Sequence, residues 1–155
     1  MRFCLRFGLC SIAAFSLLYM LQDQVVEPFT RGIAWVTYTL MRAVGTPVSL
    51  DGVTVSVPNF AVLIRNNCNA AYEMGLYTAA TLAYPAPASR RTTGILLAVA
   101  VLYVVNLIRV LSLLYTGYLL PGAFEAAHVY VWQVLFLVVV SGLWLGWIAR
   151  LRPVA

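Results

Sequence analysis

The chain has 155 residues, of which 63% are hydrophobic and only 10% are charged. Because soluble domains usually carry about 25% charged residues, this composition excludes an ordinary water-exposed surface and predicts an integral membrane protein in contact with lipid. The formal net charge is +5, but the arginines lie at the ends of apolar segments and form no stripe with interleaved aromatic residues, so we expect no nucleic-acid partner.

Four apolar segments approach or exceed the length needed to cross a bilayer, which is about 20 residues. They cover residues 7–21, 69–86, 93–115 and 124–149. No linker or internal repeat divides the chain, so we expect a single membrane domain over residues 1–155. Residues 1–21 resemble a signal peptide, but no small-residue cleavage site follows them, and we expect a retained first helix.

Pairs of arginines mark one set of ends of these four segments. The pairs are Arg2 and Arg6, Arg90 and Arg91, and Arg150 and Arg152. Under the positive-inside rule these ends face the cytoplasm. Both termini are then cytoplasmic, and residues 22–68 lie on the extracytoplasmic side.

The apolar stretch at 29–44 is predicted to be an amphipathic helix lying in the membrane interface. Its apolar residues repeat at helical spacing: Phe29, Ile33, Val36, Leu40 and Val44. A fifth span over this stretch is the alternative. It would place residue 68 in the cytoplasm and Arg90 and Arg91 on the opposite side, against the charge rule.

Residues 48–57 alternate around Asp51-Gly52, which predicts a short extracytoplasmic β-hairpin. The hairpin is either a simple connector or an edge strand that accepts an extended peptide. Together these elements predict an all-α integral membrane protein with about four transmembrane helices, an interfacial amphipathic helix and this hairpin.

Cys68 is a candidate nucleophile at the polar mouth of the second span. Asn66 or Asn67 is placed to cap that helix, so the thiol meets its positive end beside Arg65. Both charges are expected to favour the thiolate, which is the reactive form. Cys4 and Cys10 lie in a plain apolar helix and are expected to be inert.

Arg109 lies inside an apolar run, where a charge costs about 2.5–3.5 kcal/mol and needs compensation. Asn106 and Ser112 are expected to hold the guanidinium, and Glu73 is a candidate buried partner. We interpret Arg109 as an oxyanion or substrate ligand, with an arginine that extends to the headgroups as the alternative. Ser112 is also a competing nucleophile, but no Gly-x-Ser-x-Gly elbow surrounds it.

His128 is the only histidine and opens the last span. Glu125 at i−3 is expected to orient the imidazole, and Trp132 at i+4 to cover it. The predicted topology brings Cys68, Arg109 and His128 to the same outer level. A nucleophile, an acid/base and an anion stabiliser suffice for acyl transfer. Three cysteines and one histidine form no disulfide framework or zinc cluster, and we expect no metal and no cofactor.

Three motifs resemble the exosortase and archaeosortase family, most closely its exosortase H type. They are Cys68-Asn69, Asn106-Leu-Ile-Arg109 and Phe124-Glu-x-x-His128-x-Tyr-x-Trp-Gln133, within residues 60–150. The resemblance implies a bacterial inner-membrane cysteine protease or transpeptidase. Its substrates would be exported proteins with a C-terminal sorting signal made of a short motif, a membrane helix and arginines.

The resemblance assigns Cys68 as the nucleophile, His128 as the proton-transfer residue and Arg109 as the family's arginine. Many relatives have glycine two residues after the nucleophile, where this chain has Ala70. A non-enzymatic membrane component, such as a transport or scaffold subunit that binds an anion through Arg109 and His128, is the alternative function.

Overall fold

The computed structural model describes residues 2–66 and 68–151. Asn67, a predicted capping residue, and Arg152, one of the orienting arginines, lie outside the described residues. The described chain is mostly helical, with one small antiparallel sheet between the helices Glu27–Ala43 and Ala71–Ala83.

Five helical segments make up most of the fold. They are α1 (Arg2–Met20), α2 (Glu27–Ala43), α3 (Ala71–Ala83), α4 (Ala88–Leu119) and α5 (Pro121–Ala149). A single π-helical turn, Gln22–Val26, joins α1 to α2. Within the described residues, α1, α4 and α5 are long and apolar enough to cross a membrane. The protein is therefore membrane-embedded, whereas the predicted count of four spans is not confirmed.

The helix α3 is shorter than the span predicted over 69–86. Its 13 residues extend for about 20 Å, against a hydrocarbon core of about 30 Å. At its start, Asn69 and Ala70 form a turn instead of helix. At its end, Tyr84 has an extended backbone with ψ 137°, because the ring of Pro85 disfavours the helical conformation in the preceding residue.

The helix α2 covers residues 29–43 of the stretch predicted to be helical, and Val44 follows it as the C-cap residue. The residues of α2 that are buried within the protein are Thr30, Ile33, Ala34, Thr37 and Met41. The sheet and α4 pack on Ile33, Ala34 and Met41. Two residues of the predicted apolar stripe, Leu40 and Val44, are 43% and 69% exposed on the surface of the protein. The position of α2 in the membrane interface stays a prediction.

The sheet has three strands in the order β1 (Ser49–Asp51), β2 (Thr54–Val57) and β3 (Phe60–Leu63). The predicted hairpin is confirmed as β1 and β2, with Gly52 at φ 58° in the turn. The strand β3 was not predicted. It follows the tight turn Pro58-Asn59, in which proline fixes its own φ near about −65° and Asn59 takes φ 63°.

Two apolar clusters share α4. The first joins α2 and the sheet to Val110 and Leu114 of α4. The second joins α3 and α5 to Ala98 and Leu102 of α4. At the far end, the Trp147 indole donates a hydrogen bond to the Arg90 carbonyl (3.1 Å) and packs on Gly94. The helix α4 is therefore the central element, and it carries Arg109.

Candidate active site

Cys68 and His128 lie side by side although 60 residues separate them in the chain. The Sγ atom of Cys68 is 3.7 Å from Nε2 of His128. Cys68 lies in the loop between β3 and α3, and His128 lies near the start of α5. This distance allows a direct S–H···N hydrogen bond.

The predicted trio shares one cavity of about 310 Å³. Cys68, Arg109 and His128 all line it, together with the C-terminal half of α4 and the strand β3. The remaining lining residues are Ala61, Val62, Leu63, Ile64, Arg65, Val110, Leu113 and Phe124. The cavity is therefore apolar except around the three candidate residues and Arg65.

The loop that carries Cys68 is held by a buried polar cluster. The Asn69 side chain accepts a hydrogen bond from the Ala71 backbone N–H (2.9 Å) and donates one to the Thr30 hydroxyl (2.8 Å). That hydroxyl also lies 2.9 Å from Oδ1 of Asn66. Asn69 therefore satisfies a backbone N–H at the start of α3. Asn66 contacts α2 instead of serving as the predicted cap.

Ala70 adopts a left-handed backbone conformation, with φ 64°, and is fully buried. Residues with a β-carbon pay roughly 1–2 kcal/mol for this conformation, whereas glycine pays little. This geometry gives a physical reason for the glycine that many relatives have at this position. Alanine is the smallest side chain that keeps a β-carbon, so the turn is retained here.

Burial raises the pKa of the Cys68 thiol above its ordinary value. The positive charges of Arg109 and, more weakly, Arg65 lower the pKa, and Glu73 raises it. Arg65 therefore favours the thiolate as expected, but desolvation outweighs the two arginines, so the thiol is the stable form at rest. A neutral thiol at rest needs a proton acceptor, and Nε2 of His128 is the group within reach.

Arg109 is only 5% exposed, and its guanidinium carbon lies 5.5 Å from the centre of the Phe136 ring. In the described part of the chain Arg109 forms no ion pair within 4.0 Å, so the expected ion pair with Glu73 is not formed. The burial also contradicts an arginine that extends to the headgroups. A cation–π contact compensates part of the burial cost.

The two polar residues expected to hold this guanidinium do not do so. Ser112 donates its hydroxyl hydrogen to the Arg109 backbone carbonyl (2.8 Å), as serine commonly does inside a helix. Both amide atoms of Asn106 are buried without a hydrogen-bond partner among the described residues. Ser112 is thus occupied within its own helix.

Arg109 also lines a second cavity, of about 240 Å³, between α3, α4 and α5. Glu73 and Gln133 are its other polar residues, and one carboxylate oxygen of Glu73 is buried without a hydrogen bond in the described chain. Arg109 therefore lies between this cavity and the one that contains Cys68.

His128 is held by an aromatic stack, and not by Glu125 and Trp132 as expected. Its ring stacks on Phe124, and Phe124 meets the Phe60 ring edge-on at 4.9 Å. Glu125 is exposed and forms no ion pair with His128 within the residues that the structure describes, so its carboxylate avoids desolvation. Trp132 packs into the core formed by α3, α4 and α5.

His128 lies in a π-helical stretch, Ala127–Val131, within α5. Such stretches are rare and often occur at functional sites. Sequence reasoning missed this stretch and the stacking of Phe124 on His128, although Phe124 stands four residues before the histidine, on the same helical face. Among the described residues, no cluster of three or more His, Cys, Asp or Glu side chains could hold a metal ion.

Comparison with known families identifies a match over most of the chain. The family model described as transmembrane exosortase (Exosortase_EpsH) matches residues 2–146. The match extends beyond the 60–150 region that carries the motifs and includes the first helix. No curated protein and no solved structure gives a significant match. Since the family model covers most of the chain, the protein belongs to the transmembrane exosortase family.

Proposed function

We propose that this exosortase is a membrane-embedded cysteine protease or transpeptidase. Its substrates are exported proteins that carry a C-terminal sorting signal of a short motif, a membrane helix and arginines. The single observation that carries the proposal is the 3.7 Å separation between Sγ of Cys68 and Nε2 of His128. Family membership supports it, because the motifs that resemble the family contain both residues.

The first half-reaction acylates Cys68. Nε2 of His128 accepts the thiol proton, and the thiolate attacks the scissile carbonyl carbon. The carbon–nitrogen bond then breaks, and His128 returns the proton to the leaving amine. The products are a thioester on Cys68 and the released membrane tail of the substrate.

The second half-reaction resolves the thioester. Water or an amine attacks the same carbonyl carbon, His128 removes the proton of the attacking group, and Cys68 leaves as a thiolate that regains a proton. Water makes the enzyme a protease, and an amine on a lipid or glycan makes it a transpeptidase. No metal or cofactor takes part in either half of the proposed reaction.

Arg109 stabilises the negative charge that develops on the substrate. It lines the cavity of Cys68 and lies close enough to lower the pKa of the thiol. A buried cation without an ion pair in the described chain interacts strongly with a new anion, because little water screens it. The oxyanion of the tetrahedral intermediate is such an anion, and so is an acidic group in the recognition motif.

The active site is placed at the extracytoplasmic face of the bacterial inner membrane, with both termini in the cytoplasm. Arg90 and Arg91 support this orientation, because they lie near the start of α4 and the site lies towards its other end. A membrane-impermeant maleimide applied to intact cells tests it. Labelling of Cys68 from outside supports this orientation, and labelling only after lysis contradicts it.

The proposed chemistry is tested with a reporter fused to the C-terminal tail of an exported protein that ends in such a sorting signal. Cys68→Ala should reduce processing at least about 10³-fold, as loss of a nucleophile does in other proteases. Cys10→Ala is the matched control, since Cys10 lies in α1 away from the cavity. Mass spectrometry should detect the substrate acyl group on Cys68. Full processing by Cys68→Ala would overturn the proposal.

A further inference from the structure

The strand β3 is an edge strand that borders the cavity of Cys68. It pairs with β2 on one side only, and Ala61 to Arg65 line the cavity in unbroken succession. A run of consecutive residues can line a cavity with its backbone as well as with its side chains.

The ladder pattern identifies which backbone groups of β3 are free. The Ile64 N–H donates to the Val53 carbonyl (3.1 Å). In an antiparallel pair, hydrogen-bonded and non-hydrogen-bonded residues alternate, so Phe60 and Val62 also bond to β2. The N–H and C=O groups of Ala61 and Leu63 therefore point away from β2, towards the free edge.

These groups have the spacing of an unpaired strand. Among the described residues, neither Ala61 nor Leu63 forms a backbone hydrogen bond outside the sheet. Two donors and two acceptors at alternate positions match the backbone of one further extended segment. A folded helix cannot supply this pattern, because its own backbone groups are already paired.

We infer that the segment of the substrate next to the scissile bond binds as a fourth strand on the free edge of β3. This inference rests on the proposed function, because it identifies how that substrate is recognised. Backbone pairing would hold the segment extended beside Cys68 and His128, which line the same cavity. The side chains of the bound segment would alternate between two sides of the sheet. One set would face Val110 and Leu113 of α4, and the other set would lie on the side that carries the exposed Leu63.

The first test removes one free donor. Leu63→Pro deletes the outward N–H but leaves the hydrogen bonds to β2, and proline is tolerated on edge strands. Leu63→Ala is the matched control, because it shortens the side chain and keeps the N–H. Leu63→Pro should raise the KM for the reporter about 10-fold and leave iodoacetamide labelling of Cys68 unchanged. An unchanged KM would overturn the inference.

The second test does not depend on catalysis. Leu63→Cys is introduced with Cys4→Ser, Cys10→Ser and Cys68→Ala, and single cysteines are scanned through the reporter segment before its membrane helix. Side chains opposite each other on paired strands lie close enough for a disulfide, and they alternate between faces. Crosslinks should therefore be strongest at one reporter position, weaker two residues away on either side, and absent at the intervening positions.

The control places the cysteine on the opposite edge of the sheet, as Ser49→Cys in β1. Crosslinks to Ser49→Cys, or crosslinks to Leu63→Cys without the period of two, would overturn the inference. Processing of the reporter by the native chain separates the two proposals. If the reporter is processed but shows no alternating crosslinks, only the fourth-strand inference fails, whereas an unprocessed reporter contradicts the proposed function itself.

Discussion

The Phe124 ring lies nearly parallel to the imidazole of His128, with ring centres 5.7 Å apart and an angle of 16° between the planes. This stack fixes the face of the imidazole, while Nε2 at its edge points to Sγ of Cys68. Phe124 is in turn held by Phe60 of β3. The position of His128 therefore depends on the small sheet.

Replacing Phe124 by leucine should lower kcat more than it raises KM, because the stack positions His128 although Phe124 also lines the cavity. Aromatic pairs contribute about 0.5–1.5 kcal/mol, which corresponds to a loss of roughly 2- to 10-fold. Phe124→Tyr keeps the ring and should retain activity. Phe7→Leu removes another stacked phenylalanine, in α1. Equal losses in Phe124→Leu and Phe7→Leu would contradict the positioning role.

The titration of Cys68 should respond in opposite directions to two neighbouring charges. Arg109 lowers the pKa of the thiol and Glu73 raises it, so Arg109→Gln should raise the pKa and Glu73→Gln should lower it. Only the thiolate is alkylated, so the midpoint of the rate against pH moves to higher pH in Arg109→Gln and to lower pH in Glu73→Gln.

This measurement uses iodoacetamide in a Cys4→Ser, Cys10→Ser background. Arg65→Gln provides an internal scale, because Arg65 lowers the pKa less than Arg109 does. Unchanged midpoints in both Arg109→Gln and Glu73→Gln would show that burial alone determines the pKa of Cys68, and shifts in the same direction would contradict the assigned roles of the two charges.

Removing the Thr30 hydroxyl should destabilise the loop that carries Cys68. Thr30→Val leaves the Asn69 amide without its acceptor, and an unpaired buried polar group costs about 1–3 kcal/mol. Thr37→Val is the matched control on the same helix, since the buried Thr37 hydroxyl has no partner among the described residues. We expect a lower midpoint of thermal unfolding in detergent for Thr30→Val and an unchanged or higher one for Thr37→Val.

Adding one methyl group at Gly117 should displace β3. A β-carbon there would overlap the Phe60 ring, and overpacking of this kind costs typically 1–3 kcal/mol. Gly142→Ala adds the same group in α5, where nothing lies within 4 Å. Reporter processing should fall in Gly117→Ala and stay normal in Gly142→Ala. Normal processing by both variants would show that His128 does not depend on the position of Phe60.

Local sequence signals predicted several elements correctly. The Asp51-Gly52 turn correctly predicts the β1–β2 hairpin. Pro85 also signals the end of α3, but the predicted span over 69–86 continued past it. The proximity of Cys68 and His128 was also inferable, because the chain brings the start of α3 and the start of α5 to the same end of the fold. The strand β3 was harder to predict, since all residues of Phe60–Leu63 are apolar and the sequence shows no alternation of polar and apolar residues.

Other features depend on contacts between distant residues. Asn66 and Asn69 are chemically equivalent as caps, and only the position of Thr30 on α2 assigns them different roles. Likewise, the charges near Cys68 in sequence favour the thiolate, but the burial that outweighs them comes from tertiary packing. In the same way, the sheet and α4 determine which residues of α2 are buried within the protein.

The shortness of α3 affects the water available at the site. A helix of 13 residues falls roughly 10 Å short of the hydrocarbon thickness, so either the bilayer thins around it or the Cys68 loop lies below the headgroups. At that depth irregular backbone must be satisfied within the protein. Here the Asn69 side chain accepts from the Ala71 N–H, and the Arg65 carbonyl accepts from the Cys68 N–H. If the loop lies at that depth, the proposed mechanism predicts that the thioester on Cys68 is hydrolysed slowly relative to its transfer to a lipid-borne amine, because little water reaches it.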